Sequence, residues 1–149
     1  MTIFENKKQI ISWIVVFLWM LIIFNLSSQV AEESNKLSKG VTEIIVQTVE
    51  KVAPRSSFDI DQFNHLLRKN AHFFTYLVLG MLVMSGMRRS DVKGIVLTLG
   101  ICILYAVSDE IHQLFVPGRG GQIKDVLIDS AGAFVGIKLY LRLSRLKKI

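Results

Sequence analysis

The chain has 149 residues, 51% of them hydrophobic, and a formal net charge of +6. That length suits one domain, residues 1–149, and the apolar residues fall in long blocks that suit a bilayer better than a soluble core. The basic excess does not indicate nucleic acid. It sits in Arg88, Arg89 and Lys93, and in Lys138, Arg142, Arg145, Lys147 and Lys148, all bordering apolar blocks where cations set topology and meet anionic lipid. Cys102 is the single cysteine, which excludes an intrachain disulfide and a cysteine-built metal site.

Four membrane spans are expected, so the predicted fold class is an all-α membrane protein built as a four-helix transmembrane bundle. The first span, Ile10 to Leu26, carries no charge. Lys7 and Lys8 precede it as in a signal peptide. Its apolar run is longer than a signal core, and no small-x-small cleavage pattern follows, so an uncleaved anchor is expected. A long polar loop from Ser27 to Asn70 comes next. Within it Leu37, Val41, Ile44, Ile45, Thr48, Val49 and Val52 share one helical face, which predicts an amphipathic surface helix ended by Pro54. Asp59 to Asn70 is expected to form a short helix feeding into the second span, Ala71 to Met87. The third span runs from Val92 to Ser108 and the fourth from Ile123 to Leu141. Each is near the ~20 residues that cross hydrocarbon.

With four spans, the N-terminal tail, the loop at Arg88 to Lys93 and the C-terminal tail share a side. That side holds ten basic and two acidic residues, against eight basic and ten acidic on the other. The positive-inside rule places both termini in the cytoplasm and the long loop outside.

The ionisable residues converge on the outer ends of the spans. Lys69, His72 and Tyr76 lie on one face of the second helix. Asp109, Glu110, His112 and Gln113 close the third. Asp125 and Asp129, at i and i+4, open the fourth, with Gly132 and Gly136 continuing their face. Pro117-Gly118-Arg119-Gly120-Gly121 makes a tight turn carrying one cation. Ionisable groups within spans are costly, and they pair or serve a site. A solvated polar cap accounts for any one of them alone. Gly132 and Gly136 also form the small-xxx-small pattern of close helix packing.

Four segments carry a family resemblance. Arg68 to Gly80, RKNAHFFTYLVLG, resembles the K-x-x-H-F-x-x-Y-x-x-L-G motif of VanZ-like membrane proteins. Ser108 to Arg119, SDEIHQLFVPGR, resembles their D-E-x-x-Q-x-F-x-P-G-R motif, and Asp125 to Gly136, DVLIDSAGAFVG, their D-x-x-x-D-x-x-G-x-x-x-G motif. Phe24 to Gln29, FNLSSQ, is similar to the end of the family's first span. The resemblance implies a bacterial cell-membrane protein, multi-pass, with motif positions at Lys69, His72, Tyr76, Asp109, Glu110, Gln113, Arg119, Asp125 and Asp129. The family's namesake is associated with low-level resistance to teicoplanin, but the family has no established biochemical activity for the resemblance to carry over. Gly120 departs from the small hydroxyl residue that similar proteins often carry.

Three readings stay open. In the first, Lys69, His72, Tyr76, Gln113 and Arg119 bind an anionic envelope lipid, glycolipid or cell-wall precursor at the outer face. In the second, an enzyme uses His72 or His112 as general base, with Asp109, Glu110, Asp125 and Asp129 as acid-base groups or as ligands of a divalent cation. In the third, the polar residues only hold a structural bundle together. The bilayer is the expected partner in all three.

Overall fold

In the computed structural model the described residues are 3–28, 40 and 60–146. They form four helices: α1 (Ile3–Ser27), α2 (Ile60–Met87), α3 (Val92–Gln113) and α4 (Ile123–Leu146). The all-helical class is the expected one. Apart from Gly40, the amphipathic helix expected over 37–52 and the stop at Pro54 lie outside the described residues.

Among the described residues three stretches are long and apolar enough to cross a membrane: Asn6–Ser27, Lys69–Met87 and Val92–Gln113, with mean hydropathies of 2.4, 1.3 and 1.8. Helix α4 is not among them, and its sequence shows why: Asp125, Asp129, Lys138 and Arg142 interrupt its apolar residues. The helices outrun the expected spans where polar residues carry the backbone onward. The short helix expected over 59–70 and the second span are one continuous helix, because no Gly or Pro interrupts 60–71. Helix α3 reaches Gln113, and its exit tightens into i to i−3 bonds, with the amides of Leu114, Phe115 and Val116 donating to the carbonyls of Ile111, His112 and Gln113.

Helix α2 ends at Met87, and Arg88 follows with φ 51°, the left-handed conformation that often closes a helix. Asp91 then caps α3. Its carboxylate accepts from the Gly94 amide at 3.1 Å and from Arg89 Nη2 at 3.1 Å. The Gly94 amide, then Arg89, hold the Asp91 carboxyl below its ordinary range.

The core brings Val16 and Ile23 of α1 against Tyr76, Leu79 and Val83 of α2, Cys102 and Ala106 of α3, and Ala133 of α4. Helices α2 and α4 touch backbone to backbone. A Cβ at Gly132 would run into the Phe73 carbonyl, one at Gly136 into that of Leu77, and one at Gly80 into that of Ala133. The small-xxx-small pattern is therefore a packing seam. Helix α1 is tied on by polar side chains: Trp19 Nε1 donates to the Thr75 carbonyl at 3.0 Å, and the Tyr105 hydroxyl to that of Met20 at 2.6 Å. The outward faces are apolar, as with Phe17, Leu18, Val96 and Leu104. That inside-out pattern suits hydrocarbon.

Candidate functional site

The C-terminal ends of α1 and α3 and the N-terminal halves of α2 and α4 meet at one end of the bundle, because consecutive helices run antiparallel. There a cavity of about 190 Å³ is lined by Lys69, His72, Gln113, Gly118, Arg119, Gly120, Gln122 and Asp125. Lys69 Nζ lies 3.9 Å from Asp125 Oδ1 across the α2–α4 seam. One turn deeper His72 Nδ1 lies 3.7 Å from Oδ1 of the fully buried Asp129.

The α3–α4 loop closes the cavity. The Arg119 amide donates to the Val116 carbonyl at 3.1 Å, and Gly118 at the third turn position has φ 76°. Pro at the second position and a left-handed Gly at the third are the requirements of a type II turn. The turn delivers Arg119 to the cavity, where its Nη2 also sits 3.5 Å from the Leu26 carbonyl at the end of α1. The chain then folds back over α3 at Gly121, where a Cβ would lie only 2.7 Å from the Glu110 carbonyl oxygen.

Behind the lining lies a shell of buried acceptors. Glu110 Oε2 accepts from the Gln122 amide at 2.7 Å, which anchors the start of α4 on the end of α3. Gln113 Nε2 faces Asp109 Oδ2 at 3.5 Å and Glu110 Oε1 at 3.4 Å. Asp109, Glu110 and Gln113 are all buried. Among the described residues no hydrogen-bond donor reaches Asp109 Oδ1, the two Asp129 oxygens or the Tyr76 hydroxyl. Asp109, Glu110 and Asp125 are the electrostatic neighbours of Asp129. A buried carboxylate without a donor needs a compensating positive charge or a proton. His72, 3.7 Å from Asp129, is placed to supply one.

The structure sorts the residues expected to form a site. Lys69, His72, Gln113, Arg119 and Asp125 line the cavity. Asp109, Glu110 and Asp129 stand behind it. Tyr76 is completely buried, its ring 6.2 Å from that of Tyr105, and does not line it. His112 is also outside the lining, with its ring stacked 4.5 Å from that of Phe24. Among the described residues no three His, Cys, Asp or Glu side chains are grouped so as to hold a metal ion. The four carboxylates are instead spread over two helices, with Glu110 bound to a backbone amide and Asp125 beside Lys69.

Gln122 was not legible as a site residue, since a polar residue before a helix is ordinary. Ser27 was not either: it is buried, and its hydroxyl faces Asp109. The FNLSSQ resemblance is the one signal that pointed to this end of α1.

These features define an all-helical membrane protein with a polar cavity at one end of its helices, backed by buried carboxylates. The chain belongs to the VanZ/LLP1 family, whose model matches residues 12–145. No curated protein and no solved structure matches it.

Proposed function

We propose that this protein recognises the anionic headgroup of an envelope lipid or glycolipid at the outer face of the bacterial cell membrane. The observation that carries this reading is the composition of the cavity wall. Its ionisable members are the basic Lys69 and Arg119, one carboxylate, Asp125, and the imidazole of His72. The remaining carboxylates, Asp109, Glu110 and Asp129, are not part of the wall. Arg119 offers a planar donor fork to a phosphate, and Lys69 a compact charge. Beside the cavity the loop and the start of α4 expose Leu114, Phe115, Ile123 and Leu127, with Phe115 and Ile123 79% and 84% exposed. An exposed apolar collar beside a cationic cavity suits a ligand that stays in the membrane.

In this reading all four helices cross the membrane and both termini are cytoplasmic, as the basic asymmetry favours. In the same reading the protein alters envelope sensitivity, and teicoplanin is the glycopeptide to test. The deciding experiment is Arg119→Lys in a host whose teicoplanin susceptibility depends on the protein, beside a blot of the membrane fraction. Lysine keeps the charge and loses the fork. Loss of protection at normal membrane abundance supports the reading. Full protection at normal abundance removes a required fork contact, and loss of the protein from the membrane points to a structural role.

One observation favours a second reading, an enzyme acting on a lipid-linked substrate. His72 lines the cavity and has a buried carboxylate 3.7 Å from Nδ1, a negative charge that would stabilise the imidazolium a general base forms. His72→Gln separates the two. A base leaves lipid retention in place and loses turnover; a binding residue loses retention.

A further inference from the structure

The cavity wall is uneven in a way that specifies more than an anion. Two of its members are cations, Lys69 and Arg119, but its other polar side chains are His72, Gln113, Gln122 and Asp125. The Gln113 amide nitrogen is turned to Asp109 and Glu110, which leaves its carbonyl oxygen as the acceptor on the other side. Asp125 adds carboxylate oxygens, which only accept when ionised. A phosphomonoester brings close to two negative charges at neutral pH and no hydroxyl of a substituent. It satisfies Lys69 and Arg119 and sets its second charge against Asp125. A phosphodiester brings one charge, and hydroxyls on its headgroup are donors for these acceptors.

Room for such a substituent exists at one place in the turn. Gly118 needs its left-handed backbone, and Gly121 cannot carry a Cβ because of the Glu110 carbonyl. Gly120 lies between them and has neither reason to be glycine. Its backbone is not left-handed, and a Cβ there would meet no atom within 4 Å. Yet Gly120 lines the cavity. What its missing side chain provides is space.

We infer that the ligand is a phosphodiester lipid with a hydroxylated headgroup, and that Gly120 is the residue that admits this headgroup. The inference rests on the anion-recognition reading and narrows it to a ligand class. Lys69 and Arg119 take the phosphate, Asp125 and the Gln113 carbonyl accept from headgroup hydroxyls, and the headgroup fills the space over Gly120. A side chain at that position takes this space away and leaves the phosphate contacts standing.

The test uses the full chain in detergent micelles with two probes of identical acyl chains, dioleoyl phosphatidylglycerol and dioleoyl phosphatidic acid. Native mass spectrometry reads the ratio of the two lipid adducts. Gly120→Val is expected to shift that ratio about tenfold toward phosphatidic acid, the scale on which pocket misfits discriminate, and Gly120→Ser to shift it less. Circular dichroism checks that both variants keep wild-type helicity. A Gly120→Val ratio within about twofold of wild type overturns the inference, whether both lipids are kept or both are lost together. Retention of neither lipid by the wild-type protein overturns the anion-recognition reading itself. An unmoved ratio with good retention of both lipids leaves that reading intact and removes the narrower inference alone.

Discussion

Glu110 shows how a side chain that resembles a catalytic carboxylate is used by the fold. It is buried, and its Oε2 holds the Gln122 amide at 2.7 Å, so α3 and α4 are joined through one charged hydrogen bond. Hydrogen bonds to charged groups contribute about 1.5–3 kcal/mol. Glu110→Ala is therefore expected to lower the thermal midpoint of the purified protein, by an amount equivalent to roughly 2 kcal/mol. Glu110→Gln keeps an acceptor and is expected to cost less. Equal midpoints for Glu110→Ala and wild type would show that the contact does not anchor the loop. Asp91 gives a pH-dependent counterpart outside the spans. Its folded-state affinity for a proton is lowered by the Gly94 amide and by Arg89. The cap's contribution is thus present above the ordinary aspartate range and disappears as pH falls through the lower folded value. Asp91→Asn, a neutral cap, is expected to flatten this acid-side loss in melting curves recorded across that range.

At the scale of the element, the α2–α4 seam is the contact most sensitive to volume. Gly132 and Gly136 meet the carbonyls of Phe73 and Leu77, which belong to helix backbone and cannot step aside as a side chain can. Gly136→Val is expected to destabilise the protein by at least about 1–3 kcal/mol. It also spreads the helices that carry His72 and Asp129. Gly100 is the internal control: it lies within α3, and a Cβ there meets nothing within 4 Å. Gly100→Ala is expected to raise stability by about 0.4–1 kcal/mol through the unfolded chain. Melting both variants in one detergent decides the matter, and equal destabilisation would refute the seam. Polar ties of Trp19 and Tyr105 help hold helix α1 to α2 and α3.

At the scale of the whole molecule the question is how the bundle sits in the membrane. Three helices have the length and apolarity to cross, and α4 is packed along α2, whose Lys69–Met87 stretch is one of them. A helix locked to a spanning neighbour by backbone contact is carried to the same depth, whatever its own hydropathy. We expect α4 to cross, both termini to be cytoplasmic and the segment around Pro54 to be outside. With Cys102 replaced by Ala, a reporter cysteine at Ser57 is expected to react with an impermeant maleimide in intact cells. Reaction only after permeabilisation would invert the orientation and place the cavity on the cytoplasmic side.

The amino-acid sequence by itself determined the helical class, three of the apolar stretches and the end of the bundle where polar residues collect. Those properties follow from runs, periods and chain direction, which are local. It also marked Pro117 and Gly118 as a turn, because φ preferences belong to single residues. The division of labour among the polar residues was decided only by the tertiary structure. Lys69 and Arg119 reach the cavity while Asp109, Glu110 and Asp129 stand behind it, and Tyr76 and His112 turn to aromatic neighbours. Spacing along one helix gives the face on which a residue lies. Which other helix covers that face, and at what depth, depends on the glycine seam between α2 and α4 and on the fold-back at Gly121, contacts between residues far apart in the chain.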